Sequence, residues 1–239
     1  TGSKIWTSYA DESDAIYALV RTDFDAAKHT GISFLMIDMT LPGITVKPIE
    51  LISGKSHFSE VFFDEVRVPK ANMVGELNKG WNVAKRLMQH ERVAIGKLQG
   101  EGQCNYRLST MAKKHHEINQ YGQLSDVVLR DQIANFDMDE HAFGLTMQRV
   151  MEEAKAGIDS SAVSSIFKLY GTELEKRKTE GLLSILGSQG LGWHSEGFTD
   201  DEQSITRSWL MSKAMSIGGG TSEIQLNVIA KRVLGLPTE

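Results

Sequence analysis

The four prolines divide this chain into two unequal parts. Pro42, Pro48 and Pro69 punctuate its beginning, and the next proline is Pro237. Proline removes a backbone donor and breaks helix interiors, so only the long proline-free stretch can sustain long helices. From Lys79 onward, apolar residues recur at offsets of three, four and seven, the period of helices that bury one face. Helices are expected over about 78–117, 124–156, 160–187, 203–217 and 221–234, with short connections, which describes a helical bundle. Asp159 or Ser160 can cap the third helix, because either side chain accepts from free first-turn amides. Ser222 with Gln225 reads as a capping box for the last helix, which Gly235 and Pro237 end.

The first 76 residues read as strands. Ile5–Tyr9, Ala15–Val20, Ile32–Ile37, Ile44–Ile49, Phe58–Phe63 and Val66–Pro69 are rich in β-branched and aromatic residues. Thr40-Leu41-Pro42-Gly43 is a turn signal, and Pro48 points to an edge strand. The fold class is therefore α+β: a small all-β barrel or sandwich domain over 1–76, then a four-helix-bundle domain over 77–239. Thr1-Gly2-Ser3-Lys4 runs at once into strand-like sequence without an initiator methionine, as the interior of a longer protein would.

A net charge of −5 argues against a general nucleic-acid binder, since phosphate attraction needs a basic face. Cys104 is the single cysteine, so no internal disulfide forms and a reducing compartment is indicated. The apolar runs are too short to span a membrane as a helix.

Three stretches could carry chemistry. Around Glu91, the residues Ala84, Leu87, Ala94, Ile95 and Leu98 share its helical face. A carboxylate on such a stripe is expected to be buried, with its pKa raised towards the range of a general base. The alternative is a buried glutamate paired with Arg92 for structure alone. Ile217-Gly218-Gly219-Gly220-Thr221-Ser222-Glu223-Ile224-Gln225 joins three glycines to a helix start. Glycine lets a backbone approach a ligand, and the helix start offers unpaired N–H donors, although a flexible connector would read the same way. Trp6-Thr7-Ser8 places an aromatic plane beside two hydroxyls, a combination suited to a planar conjugated cofactor or to a barrel rim. His90, His115 and His116 read as solvated helix surface, since adjacent histidines diverge by about 100° and do not converge on one metal. Asp137, Asp139 and Glu140 read as an exposed acidic face, and Asp200-Asp201-Glu202 as a loop.

Taken together, these stretches resemble the acyl-CoA dehydrogenase family. Lys4–Ser8, Gly31–Phe34, Glu60–Pro69, Gly219–Gln225 and Ala230–Pro237 follow its motifs in order and spacing. The resemblance implies the family's middle β-domain and C-terminal four-helix bundle, without its N-terminal helical domain. It implies FAD-dependent oxidation of an acyl-CoA thioester to 2-enoyl-CoA, as in fatty-acid β-oxidation, with electrons leaving to an electron-transferring flavoprotein. A homodimer, homotetramer or heterotetramer in the cytoplasm, of bacterial type, is implied as well. Most members carry the catalytic glutamate at the position held here by Gly219, and glycine cannot act as a base. A minority, resembling isovaleryl- and long-chain-type members, place it on the first bundle helix before an arginine, which matches Glu91-Arg92. The resemblance thus makes Glu91 the base. It makes Trp6, Thr7, Ser8, Thr221, Ser222 and Glu223 FAD contacts, and Gln89, Arg92, Gly219 and Gly220 substrate contacts.

Three positions depart from the family pattern. Ile118 stands where an arginine usually reaches the FAD pyrophosphate of a neighbouring subunit. Ser184 replaces a glutamine, and Leu210-Met211 replaces an Arg-Asp pair. These departures resemble bacterial members that act on unusual acyl-CoA esters, some as heteromeric pairs. They leave two alternatives: a non-catalytic partner subunit, or a flavin oxidase or monooxygenase of the same fold.

Overall fold

A computed structural model describes residues 1–52, 54, 56–96, 104–157, 163–194 and 196–237, with the backbone alone at 89 and 92–96. The chain forms two compact units, Thr1–Met88 and Gln89–Glu239.

The first unit holds five strands in two antiparallel sheets. β1 (Gly2–Ser8), β5 (Phe58–Phe63) and β4 (Ile44–Ile49) form one sheet, in the order β1-β5-β4. β2 (Ala15–Arg21) and β3 (Ile32–Asp38) form the other. Alternation along the strands points Val61 from one sheet and Ile16, Ala18 and Ile37 from the other into a shared core. β4 is an edge strand and carries Pro48 opposite Ser59, where the missing proline donor does no harm. The Pro42-Gly43 turn leads into β4 with Gly43 at φ +89°, and a Cβ there would run into the Asp64 carbonyl. Val66–Pro69 is not a strand; the chain leaves β5 and enters a 3₁₀ turn at Lys70–Asn72.

The first helix, α1 (Gly80–Gly96), begins inside this unit. Gly80 lies so close to the backbone of Ser33 and Phe34 that a Cβ would collide with both residues. Trp81 stacks on His29 with ring centroids 4.1 Å apart. These contacts place the first half of α1 in the same compact unit as the strands.

The second unit contains α2 (Leu108–His115), α3 (Val127–Lys155), α4 (Ser164–Leu186), α5 (Asp200–Met215) and α6 (Ser222–Val228). A π-helical turn over Ile229–Val233 extends α6, and Gly235 at φ +63° ends it. The single helix expected over 78–117 is instead two, since residues 104–107 ahead of α2 are not helical. The proposed caps Asp159 and Ser160 lie outside the described residues. α4 packs on α2, α3, α5 and α6. Leu174, Leu182, Ile185 and Leu186 of α4 meet Leu108, Met111, Ile133, Phe136 and Ile205 in the main core.

Asp200–Glu202 is the first turn of α5, not a loop. The Thr199 hydroxyl accepts from the Glu202 N–H, and the Glu202 carboxylate accepts from the Thr199 N–H. This capping box moves the helix start three residues ahead of the apolar pattern. The acidic face of α3 is also tied down: Asp139 pairs with Arg177 at 2.8 Å, and Glu140 reaches Lys178 at 4.0 Å. His115 and His116 are half-buried and not solvated, with His116 Nε2 3.1 Å from the Ile185 carbonyl. The reason is that α2 lies against α4. His90 is exposed.

Two outcomes follow from this packing. Thr199→Ala should lower stability by about 1 kcal/mol, read as a smaller urea midpoint with an unchanged slope. Glu175 is buried and accepts the Cys104 N–H at 3.0 Å. Burial pushes its pKa up, while the Cys104 amide and then Lys178 pull it back. A carboxyl with a raised folded-state pKa loses stability as pH rises from its unfolded value through its folded value. Glu175→Gln should therefore be more stable relative to the native chain at pH 7 than at pH 4, and an equal difference at both would refute this.

Candidate functional site

The site candidates fall on both units, and each unit is built locally. In the first, β1 pairs with β5 as Lys4↔Val61 and then Thr7↔Ser59, with a register shift between. Ile5 and Trp6 occupy that bulge, and Trp6 adopts a left-handed φ of +61°. A bulge turns side chains out of the pleat, and both residues are exposed. The Trp6 indole meets the edge of Phe58 at 6.2 Å but keeps a free face. Thr7 is half-buried, Ser8 is exposed, and neither hydroxyl bonds to another described residue. Directly beneath, the Ser59 hydroxyl is buried with no partner among the described residues.

In the second unit, Gly219 and Gly220 turn the chain into Thr221, the N-cap of α6, and Ser222 and Glu223 open that helix. Gly219 has φ +67° and Gly220 φ +100°, conformations that glycine adopts freely and other residues at a cost. Ser222 with Gln225 is not the cap of α6. Thr221 is the N-cap, its hydroxyl accepting the Ile224 N–H at 3.4 Å. Gln225 points the other way: its Nε2 donates to the carbonyls of Gly219 at 3.0 Å and Gly220 at 3.1 Å. The two backward-facing carbonyls offer a better pair of acceptors than the N-cap offers a donor. Gln225 is fully buried, and its Oε1 is left without a described partner. Glu223 is exposed, and the Thr221 hydroxyl and its own amide hold its carboxyl below the usual range, aided by Lys168.

Lys168 of α4 lies beneath the same turn with no exposed surface. Its Nζ donates to the Ser216 carbonyl at 3.0 Å, at the C-terminal end of α5, where the helix dipole favours a cation. Neither Lys168 nor the true role of Gln225 emerged from the sequence. The available signal was a lysine set between Phe167, Leu169 and Tyr170.

Glu91 stands on α1 and is exposed, which corrects the expectation of a buried carboxylate. Its stripe is partly real, with Ala84 buried and Leu87 half-buried. Periodicity finds a shared face, but burial also needs an element packed over it, and no described element covers Glu91. It makes no hydrogen bond or ion pair with another described side chain. The side chains of Gln89 and Arg92 lie outside the described residues. Ile118 is exposed in the loop before α3, bridged to Leu124, and Ser184 is exposed on α4. Among the described residues there is no cluster of histidine, cysteine or carboxylate side chains able to hold a metal ion. No described helix is long and apolar enough to cross a membrane.

Residues 78–234 match the model of the acyl-CoA dehydrogenase C-terminal domain. The chain belongs to the acyl-CoA dehydrogenase family. It is 35% identical over 238 residues to acyl-CoA dehydrogenase FadE34 of Mycobacterium tuberculosis, a match covering 99% of this chain and 31% of that protein. It is 30% identical to acyl-CoA dehydrogenase IpdE1 of Mycolicibacterium smegmatis, covering all of this chain and 57% of that one. The chain therefore spans between 31% and 60% of the length of these and other curated relatives it matches. Among solved structures, the Tcur3481-Tcur3483 steroid ACAD superposes with a TM-score of 0.86 at 28% identity, covering 100% of this chain and 60% of that one. The ChsE4-ChsE5 complex of Mycobacterium tuberculosis superposes with a TM-score of 0.80 at 28% identity, covering 100% and 61%.

The tightness of the glycine turn can be tested directly. A Cβ on Gly220 would sit 2.7 Å from Gln225 Nε2 at a φ of +100°. Gly220→Ala should destabilise the fold by about 1–2 kcal/mol, visible as a lower unfolding midpoint, whereas Gly218→Ala, whose Cβ would meet only the Ala214 carbonyl at 3.8 Å, should change stability far less.

Proposed function

We propose that the full-length protein carrying this chain is an FAD-dependent acyl-CoA dehydrogenase that introduces the α,β double bond of a 2-enoyl-CoA. The observation that carries the proposal is the glycine at 219, held at φ +67°. With no carboxylate at that position, the family's chemistry needs its base elsewhere, and Glu91 before Arg92 matches the alternative position. An exposed Glu91 is free to meet a substrate, and it has no described partner to neutralise it.

The residues present fit the flavin. An exposed indole face, two unbonded hydroxyls at a bulge and a glycine turn that opens a helix N-terminus suit a planar ring system with polar edges. Trp6, Thr7 and Ser8 would hold the ring, and Thr221, Ser222 and Glu223 would line the remainder. FAD, when bound, supplies a two-electron acceptor for the hydride leaving Cβ. Glu91 takes the α-proton, so one proton and one hydride leave the substrate together and the Cα–Cβ bond gains the second pair. Gln89 and Arg92 would line the acyl-CoA path. A backbone N–H of the Gly219-Gly220 turn would bind the thioester oxygen, where enolate charge develops. Electron-transferring flavoprotein is the proposed acceptor, and a homo- or heteromeric assembly the proposed state.

A second reading is favoured by Ile118, an apolar exposed side chain where the family places a cation for the pyrophosphate. On that reading the chain is the partner subunit of a heteromeric dehydrogenase and contributes no base. The same-fold oxidase reading predicts oxygen consumption during turnover and fails without it.

Glu91→Gln in the full-length protein separates these readings. It keeps volume and removes the proton acceptor, so acyl-CoA-driven flavin bleaching, normalised to bound FAD, should fall by a factor of about a hundred or more. Substrate affinity should change little. An unchanged rate would remove Glu91 from the mechanism and move the partner-subunit reading to first place.

A further inference from the structure

The turn that replaces the family's usual glutamate is held by two side chains to which the proposed chemistry gives no task. Lys168 and Gln225 come from different helices, and both are fully buried. Lys168 draws the Ser216 carbonyl inward at 3.0 Å, and Gln225 draws in those of Gly219 and Gly220 at 3.0 and 3.1 Å. Every peptide bond in the described chain is trans. In a trans peptide the C=O and N–H point in opposite directions. The N–H groups of Gly220 and Thr221 therefore face away from Gln225. The Gly218–Gly219 peptide lies between the two held points, and the peptide before it is tied down by the Gly218 N–H, which donates to the Ala214 carbonyl at 3.0 Å.

The arrangement is more specific than packing requires. A buried amide that only filled space would satisfy its oxygen as well as its nitrogen. Gln225 instead leaves Oε1 without a described partner while its nitrogen serves two carbonyls. Leaving a buried acceptor unmet is unfavourable. Flipping the amide would aim its oxygen at two carbonyl oxygens, so the glycine turn dictates the orientation. A turn made of glycines has wide conformational freedom, and these two contacts remove it.

We propose that Lys168 and Gln225 are positioning residues: they hold the 216–221 backbone so that its N–H groups are presented, already oriented, to the thioester carbonyl of the acyl-CoA. The inference rests on the dehydrogenase reading above and assigns work within that site. It explains how a chain with glycine at 219 keeps a rigid donor array where a larger side chain would otherwise stiffen the loop. Preorganised donors matter because charge builds on the carbonyl oxygen only as the α-proton leaves.

The test uses the full-length, FAD-loaded protein and a panel of straight-chain, branched and cyclic acyl-CoA thioesters. The native protein identifies an active member by flavin bleaching. Gln225→Met keeps the side-chain volume, removes both donors and removes the orphaned oxygen. Its flavin reduction rate should fall by about ten- to a hundredfold, with the dissociation constant of the thioester changed by less than about threefold. Lys168→Met should behave likewise, and Lys168→Arg should recover part of the rate. A second readout is the infrared carbonyl frequency of bound enoyl-CoA labelled at the thioester carbon. It should lie closer to its value in free solution in both Met variants, a change that a purely structural role would not produce. Rates and carbonyl frequencies equal to the native ones, per bound FAD, would overturn the positioning role while leaving the dehydrogenase reading intact. If no thioester bleaches the native flavin, both readings fall together. If either Met variant fails to bind FAD, the carbonyl frequency and reduction rate of Lys168→Arg decide: native values in both overturn the role of Lys168, and a partial loss in both supports it.

Discussion

The second unit depends on how α4 hides polar groups at its centre. A charged ammonium with no exposed surface is expensive unless it is met by oriented acceptors. Lys168 meets the Ser216 carbonyl at the end of α5, where several carbonyls are unpaired by helix geometry. Further along α4, Thr172 bonds back to the Lys168 carbonyl, and Thr179 reaches the Ser212 hydroxyl of α5. The two contacts that cross between the helices, Lys168 to Ser216 and Thr179 to Ser212, set the register of α4 against α5 more narrowly than apolar packing alone, because a shift of one residue would strand both at once.

The same contacts link folding to the candidate site. α4 supplies the apolar half of the core through Leu174, Leu182, Ile185 and Leu186, and the polar half that supports the glycine turn. A turn that carries donors for a ligand cannot be stabilised by side chains of its own if they would fill the ligand's place. Glycine at 219 and 220 leaves that space open, and the stiffness comes from Gln225 and Lys168 behind it. The bulge in β1 follows a similar logic in the first unit, where an irregular strand exposes Trp6 while Phe58 braces its edge.

The candidate residues fall on elements that differ in how they are held. The turn before α6 is anchored by buried side chains. Glu91 stands exposed on a helix whose first half is docked on the β-unit. The bulge of β1 belongs to a sheet edge.

Five strands were legible from their β-branched and aromatic runs, and the bundle from the proline-free stretch with helical periodicity, because both patterns are local. Gly219, Thr221 and Glu91 were visible as motif positions for the same reason. The break between α1 and α2, the early start of α5 and the helical fate of Asp200–Glu202 were missed, since the apolar pattern is blind to end effects such as the Thr199 capping box. The exposure of Glu91 and the half-burial of His115 and His116 could not be read either, because periodicity names a face but not what lies against it. Lys168 and Gln225 are the sharpest case. In the sequence they are a lysine inside one helix and a glutamine near the start of another, 57 residues apart. Only the packing of α4 against α5 and α6 brings them to one turn, where burial forces each to find carbonyl oxygens and so gives the glycines a fixed shape.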